Sequence, residues 1–518
     1  MKYFPYWITA VFFIFSLIGI LNHEMWRDEY QAWMVAADAH SIPELFKNLK
    51  YEGNPVLWHA FLYVITAMTD NPFGMQLFHI LISTAFIYLF NRYSPFPLIQ
   101  KILFSFGFYT FFEFNLISRS YGLGLLLIMI FCILYKNRSK NLLYMGAVLF
   151  LLANDTIFGV ILAVCFTGIV MLEGVFPGKN LKAPRISFLH LGLFAVIVAA
   201  GVIVGYLQIR PEPDNSFLNQ YVTTYDPVRT NVALSRMVFA YFSFPDFSSL
   251  HFWNTNFFIP DEKKFPAAIG ILLFLIWLVA FMRYRLILLL YGLGTLILLA
   301  FFYYTGLIWG RYAGHLFLLL LSCTWLAYYY KEQPFNINIL NKVSLLGNKI
   351  RTPFFILILA IHFIGGIVAY SKDIMYPFST SSLASDFIRD NKLTQYEILG
   401  TRDYVISPLA SQLGKKMLYA ESKDYGTFII YDQFRHNIWQ FKEVQDFIIE
   451  MVGNGHKRLI LVKDVPILMT FTDSDEKIPW DEGMMTETLN LKLLKTIDAG
   501  IVHDEKYYIY SIDEVTPN

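Results

Sequence analysis

Apolar runs of roughly 17–25 residues, the length a helix needs to cross a bilayer, recur along the first 370 positions and then stop. The pattern predicts spans near Tyr6–Leu21, Phe73–Phe90, Leu98–Phe114, Tyr121–Leu134, Leu142–Ala153, Ile157–Phe176, Phe188–Leu207, Pro266–Phe281, Leu286–Tyr304, Tyr312–Tyr329 and Phe354–Ala369, about eleven in all. No small-x-small cleavage site follows the first run, so it reads as an uncleaved span. Between the first two spans lies a short apolar piece, Val56–Met68, and its placement sets the topology of everything after it. If it crosses, Lys136, Arg138, Lys140, Lys179, Lys182 and Arg185 fall outside. If it lies in the interface or re-enters, they fall inside together with Arg92 and Lys101. Basic residues concentrate in cytoplasmic loops, which favours the second arrangement. The expected topology has the N-terminus inside, a long polar external loop from Gln208 to Lys264, and the C-terminal part outside. Arg283, Arg285, Lys331, Lys342, Lys349 and Arg351 then fall inside, and Lys263 and Lys264 fall outside beside Asp261 and Glu262.

Two local patterns refine this picture. In the first external loop, Tyr30, Trp33, Met34 and Ala37 recur at helical spacing. Ser41 with Glu44 resembles a capping box opening a second helix, whose Leu45, Phe46 and Leu49 face one way. Both are expected to lie along the headgroup layer. From Ser371 the composition becomes that of a soluble domain. Helical stretches (Ser382–Asn391, Phe441–Val452) alternate there with β-rich ones (Tyr396–Gly400, Thr427–Tyr431, Arg458–Val462, Tyr507–Ile512). That alternation predicts an α/β layer domain over 371–518 after a transmembrane domain over 1–370. Gly453-Asn454-Gly455 fits a turn after a helix rather than a nucleotide fingerprint, so no nucleotide cofactor is expected.

Composition agrees with a polytopic membrane protein: 56% of the 518 residues are hydrophobic and only 16% charged. A net charge of +1 without a basic stripe gives no footprint for nucleic acid. The three cysteines, Cys132, Cys165 and Cys323, sit inside apolar runs as small hydrophobes.

Candidate chemistry gathers on one membrane face. Asn22-His23-Glu24-Met25-Trp26-Arg27-Asp28-Glu29-Tyr30 places an adjacent carboxylate pair at the mouth of the first span, and ionisable groups at a membrane edge are functional by default. The same face receives Glu113 and Arg119-Ser120-Tyr121, Asn154-Asp155, and Arg311-Tyr312 with His315. Arg119 and Arg311 oppose the positive-inside bias, and a guanidinium suits bidentate recognition of phosphate. A lipid-linked phosphate sugar presents its leaving group at headgroup depth. Arginines neutralise charge on the departing phosphate, and a carboxylate takes the proton of the incoming hydroxyl or amine or helps hold a divalent metal. His23, His59 and His315 read as hydrogen-bonded structural histidines rather than metal ligands.

With these residues in view, the sequence resembles the GT-C glycosyltransferases, most of all the protein-mannosyltransferase and aminoarabinose-transferase branch. The resemblance rests on the acidic motif after the first span, on Tyr51-Glu52-Gly53-Asn54-Pro55, and on Arg119-Ser120-Tyr121 opening a span. It implies an inverting membrane enzyme that takes sugar from a polyprenyl-phosphate donor to an extracytoplasmic acceptor (glycan, lipid or protein) at the cytoplasmic membrane. It further implies Asp28 as the leading catalytic carboxylate with Glu29 beside it, Asp155 as a second carboxylate, and Glu52, Arg119, Tyr121, Arg311 and Tyr312 around the donor. A divalent metal, if used, would sit on Asp28 and Asp155. Gly53-Asn54 stands where relatives carry Lys-Pro or Pro-Pro. Two alternatives from other classes are a transporter or flippase of lipid-linked saccharides, and a non-catalytic assembly subunit. The first calls for ionisable groups at mid-span and repeated hydrophobic segments, neither of which the sequence displays.

Overall fold

The computed structural model describes residues 3–176, 186–222, 224–259, 264–433, 441–455, 458–466, 468–470, 477–479, 484–485 and 489–514. Lys179, Lys182, Arg185, Asp261, Glu262 and Lys263 lie outside the described residues. The first part of the chain is helical: α1 (Phe4–Ile20), α2 (Arg27–Ala37), α3 (Ile42–Asn48), α4 (Leu57–Thr66), α5 (Phe73–Tyr93), α6 (Leu98–Ser105), α7 (Tyr121–Tyr135), α8 (Arg138–Ala153), α9 (Ile157–Val175) and α10 (Phe188–Ile209). It continues with α11 (Pro227–Tyr241), α12 (Lys264–Phe281), α13 (Arg285–Thr305), α14 (Gly310–Ala327) and α15 (Asn338–Met375). Six of these, α5, α9, α10, α12, α13 and α15, are long and apolar enough to cross a membrane. The shorter apolar helices α1 and α7 pack on α5. At ten residues α4 reaches only about 15 Å, so the Val56–Met68 piece is too short to cross as a helix.

Helices α2 and α3 form as the periodicity predicts. Ser41 caps α3 by accepting from the Glu44 amide at 3.3 Å, and Glu44 accepts in return from the His40 amide at 2.9 Å. Three expectations are corrected. The run Leu98–Phe114 is not one helix. It breaks at Gly107 into α6 and a π-helical turn, Phe108–Glu113, where Gly366 of α15 packs directly on the 106–108 backbone and a side chain would not fit. The stretch 330–353, expected as a cytoplasmic loop before the last span, instead largely joins that span in the single 38-residue α15. The Gln208–Lys264 stretch is not simply an external loop: it carries the largely buried α11. The backbone amide of the N-cap residue Asp226 donates to the Tyr303 hydroxyl at 2.8 Å, near the end of α13. At the other end the Ala240 carbonyl accepts from His362, midway along α15, at 3.1 Å. Lys372, near the end of α15, then donates to the carbonyls of Phe247 and Ser249. The chain therefore dips into the bundle and returns to the same face. Only the packed side of this segment is apolar, so its polar side hid the helix from a hydropathy reading.

Beyond α15 the chain forms α16 (Ser381–Asp390), β1 (Glu397–Gly400), α17 (Asp403–Leu413), β2 (Met417–Tyr419), β3 (Asp424–Gly426), α18 (Phe441–Gly453) and β4 (Arg458–Lys463). Strands β5 (Leu468–Thr470), β6 (Lys477–Pro479), β7 (Met484–Met485), β8 (Leu489–Ile497) and β9 (Tyr507–Glu514) complete it. The main sheet has the order β3-β2-β1-β4-β9-β8-β7, with β1 parallel to β2 and β4 and the other pairs antiparallel. Strands β1 and β4 are apolar at successive positions because helices cover both faces. Ile398 and Ile460 pack under Ile388, Ile406 and Leu409, whereas Leu399, Leu459 and Leu461 pack under Val444, Phe447 and Ile448. Thr427–Tyr431, expected as a strand, is irregular. Instead of pairing with the sheet, the Ile429 backbone hydrogen-bonds to Gln31 of α2 and the Tyr431 carbonyl accepts from Ser216.

Candidate active site

The mouth of α1 and the first turn of α2 are tied together by Glu29. Its side chain is fully buried and accepts from the Trp26 amide (3.1 Å) and the Ser118 amide (2.6 Å). His23 bridges Glu29 (3.2 Å) and Asp373 at the end of α15 (2.8 Å). Burial alone would depress the His23 imidazole, but the two carboxylates outweigh it and raise it to about 10. One buried acid thereby fixes α2, the residue preceding Arg119, and the end of α15 relative to one another.

Asp28 points elsewhere. Its carboxylate is partly exposed and meets two guanidinium groups, Arg119 at 3.3 Å and Arg311 at 3.1 Å. Arg119 also donates to the Asp28 carbonyl at 2.5 Å. Arg311 is held among the rings of Trp26, Tyr312 and Trp253, whose centroids lie 5.0, 5.0 and 5.8 Å from it, and its Nε has no partner among the described residues. Trp253 is anchored in turn through its indole N–H to Glu113, at 3.0 Å. Glu113 is thus buried behind the site rather than open to it. Tyr121 and Tyr312 face each other edge-on at 6.3 Å and continue into the rings of Phe158 and His315.

Glu52 joins the cluster from the turn before α4, where Gly53 adopts φ +68°, a conformation open to glycine at little cost. Gln31 donates to Glu52, and burial pushes the Glu52 carboxyl up against the pull of Gln31 and Arg119. The structure keeps Asp155 apart. It is buried at the α8–α9 turn beside Gly124, its Oδ1 lacks a partner, and burial alone pushes its carboxyl well up. A divalent metal shared by Asp28 and Asp155 does not fit this arrangement: two guanidinium groups occupy the Asp28 carboxylate. Among the described residues no cluster of three or more His, Cys, Asp or Glu side chains could hold a metal ion.

The C-terminal domain roofs the site. Gln31 donates to the Ile429 carbonyl (2.8 Å) and accepts from the Ile429 amide (2.7 Å), pinning Thr427–Tyr431 across α2. Tyr431 comes close enough to Asp28, Glu52 and Arg119 for their charges to act on its phenol, which burial pushes well up. Arg27 stacks on Tyr404 and pairs with Asp504 at 2.5 Å, while its amide donates to Glu505 at 2.7 Å. Gln412 donates to the Tyr30 hydroxyl at 3.0 Å. Sequence reasoning reached Asp28, Glu52, Arg119, Tyr121, Arg311 and Tyr312, and the structure brings them together. It missed Gln31, Trp253 and Tyr431. Trp253 lies in the stretch taken for a plain loop, and Tyr431 in a segment taken for a strand.

The chain is a helical bundle with a carboxylate–arginine cluster at its mouth and an α/β domain above it, and its fold is that of ArnT. Among solved structures, ArnT from Cupriavidus metallidurans, determined with undecaprenyl phosphate bound, is similar over 97% of this chain and 97% of its own, with a TM-score of 0.50 and 12% sequence identity. No family model and no curated protein matches the sequence.

Proposed function

We propose that this chain is a membrane glycosyltransferase that moves a sugar from a polyprenyl-phosphate donor to an extracytoplasmic hydroxyl or amine, with inversion. The observation that carries the reading is the convergence of Arg119 and Arg311 on Asp28 at the mouth of the bundle, under the C-terminal domain. ArnT, with the same fold, binds undecaprenyl phosphate. In the proposed reaction the acceptor oxygen or nitrogen attacks the anomeric carbon as the bond to the phosphate oxygen breaks. The electron pair leaves with the phosphate, where Arg119 and Arg311 balance its charge. The acceptor's proton passes to an Asp28 carboxylate oxygen. A donor phosphate drawing the two guanidinium groups to itself would free that carboxylate to act as base. Glu52 and Tyr431 would face the sugar, and Tyr121 and Tyr312 the lipid-phosphate end. No step is assigned to Asp155 or to a metal.

The test follows release of free polyprenyl phosphate from a panel of polyprenyl-phosphate sugars by the purified protein. Asp28→Asn is expected to lower the rate by about 10²–10⁴-fold, and Arg119→Ala or Arg311→Ala by about 10²–10³-fold. Full activity in Asp28→Asn together with wild-type behaviour in Arg119→Ala would refute the assignment.

A further inference from the structure

The opposite end of α1 carries a second site, unconnected with the first. Asp28 follows the C-terminal end of α1, so the N-terminal end lies about 25 Å away on the other membrane face. There the start of α1, the end of α5 and the start of α6 enclose a cavity of about 720 Å³. Arg92 and Lys101 line it, and no acidic side chain does. Among the described residues neither cation has a carboxylate partner. The Lys101 ammonium is held at 2.8 Å by the Asn91 carbonyl, and the Arg92 guanidinium lies over the Tyr93 ring. Asn91, itself in the wall, is 1% exposed; its amide N–H groups go to Ile87 and Ser105, while its Oδ1 has no partner.

The surroundings identify the ligand's other half. Tyr3, Tyr6, Trp7 and Tyr93 are exposed around the cavity, the residue types that gather at headgroup depth. Leu98 and Ile99, also exposed, continue the rim as an apolar surface suited to acyl chains. We propose that this cavity binds the headgroup of an anionic phospholipid. The phosphate sits between Arg92 and Lys101, and the chains run along the α6 surface. Phosphatidylglycerol combines both features. This site would work whether or not the glycosyltransferase reading holds.

The experiment measures thermal unfolding of the delipidated full-length protein in detergent, titrated with phosphatidylglycerol, phosphatidylcholine or glycerol phosphate. Phosphatidylglycerol is expected to raise Tm more than phosphatidylcholine, and glycerol phosphate to have no effect. Arg92→Gln, which leaves the Lys101–Asn91 contact intact, should weaken the apparent Kd for phosphatidylglycerol about tenfold. Arg285→Gln, a basic residue on the same face outside the cavity, should leave it unchanged. The proposal is overturned if Arg92→Gln titrates like wild type, if Arg285→Gln weakens binding equally, or if glycerol phosphate alone reproduces the shift.

Discussion

Adjacent in sequence, Asp28 and Glu29 have separate tasks because one helical step turns them about 100° apart. Glu29 faces inward, where three donors converge on its carboxylate; Asp28 faces the two arginines and the partly open mouth. The two substitutions should therefore differ in kind. Glu29→Gln puts an amide N–H₂ among groups that donate, and should destabilise the fold by about 1–3 kcal/mol while also lowering activity. Asp28→Asn should lower transfer by the same margin, about 10²–10⁴-fold, with little change in Tm. Parallel losses of Tm in both variants would contradict this division. The Asp28 cluster was legible in the sequence because charged residues at membrane mouths are few and conspicuous. Gln31 was not, since a glutamine on an interfacial helix carries no signal until its partner, the Ile429 backbone, is known.

At the scale of elements, the segment Thr427–Tyr431 shows how tertiary contacts override local preference. Its β-rich composition predicts a strand, but Gln31 takes both the amide and the carbonyl of Ile429, and Phe428 packs against the bundle core. Gln31→Leu removes both bonds and leaves a buried amide and carbonyl unpaired. Faster proteolysis within 427–431 is expected, with a higher KM for donor if the strap shapes its pocket; an unchanged cleavage rate would show that the strap is held by other contacts. Helix α11 escaped notice for a related reason. Its polar positions are satisfied inside the bundle, with Arg236 donating to the Ile308 carbonyl at 2.5 Å, so its hydropathy falls below that of a span although the helix is buried.

At the scale of the whole molecule, the two domains meet through Arg27 and Glu505. The Glu505 carboxylate accepts from the Arg27 amide and from the Ser379 hydroxyl, and burial raises it to about 7 against those favourable contacts. A carboxyl raised on folding binds its proton more tightly in the native state. Its contribution to stability is therefore complete below the unfolded value of about 4.3 and is lost as pH rises through about 7. Tm should fall between those limits, and Glu505→Gln should flatten that decline; equal slopes for variant and wild type would rule out Glu505 as its source. The sequence by itself determined the helical membrane class, the α/β domain after α15, and the face on which the charged residues gather. Those features follow from hydropathy, periodicity and charge bias, which are local properties of the chain. Only the tertiary structure decided that α11 dips into the bundle, that Glu29 is a tie and Asp28 the open acid, that Asp155 stands apart, and that Tyr431 closes over the site. Each of these depends on which distant groups meet across the bundle, and that pairing is set by packing between elements.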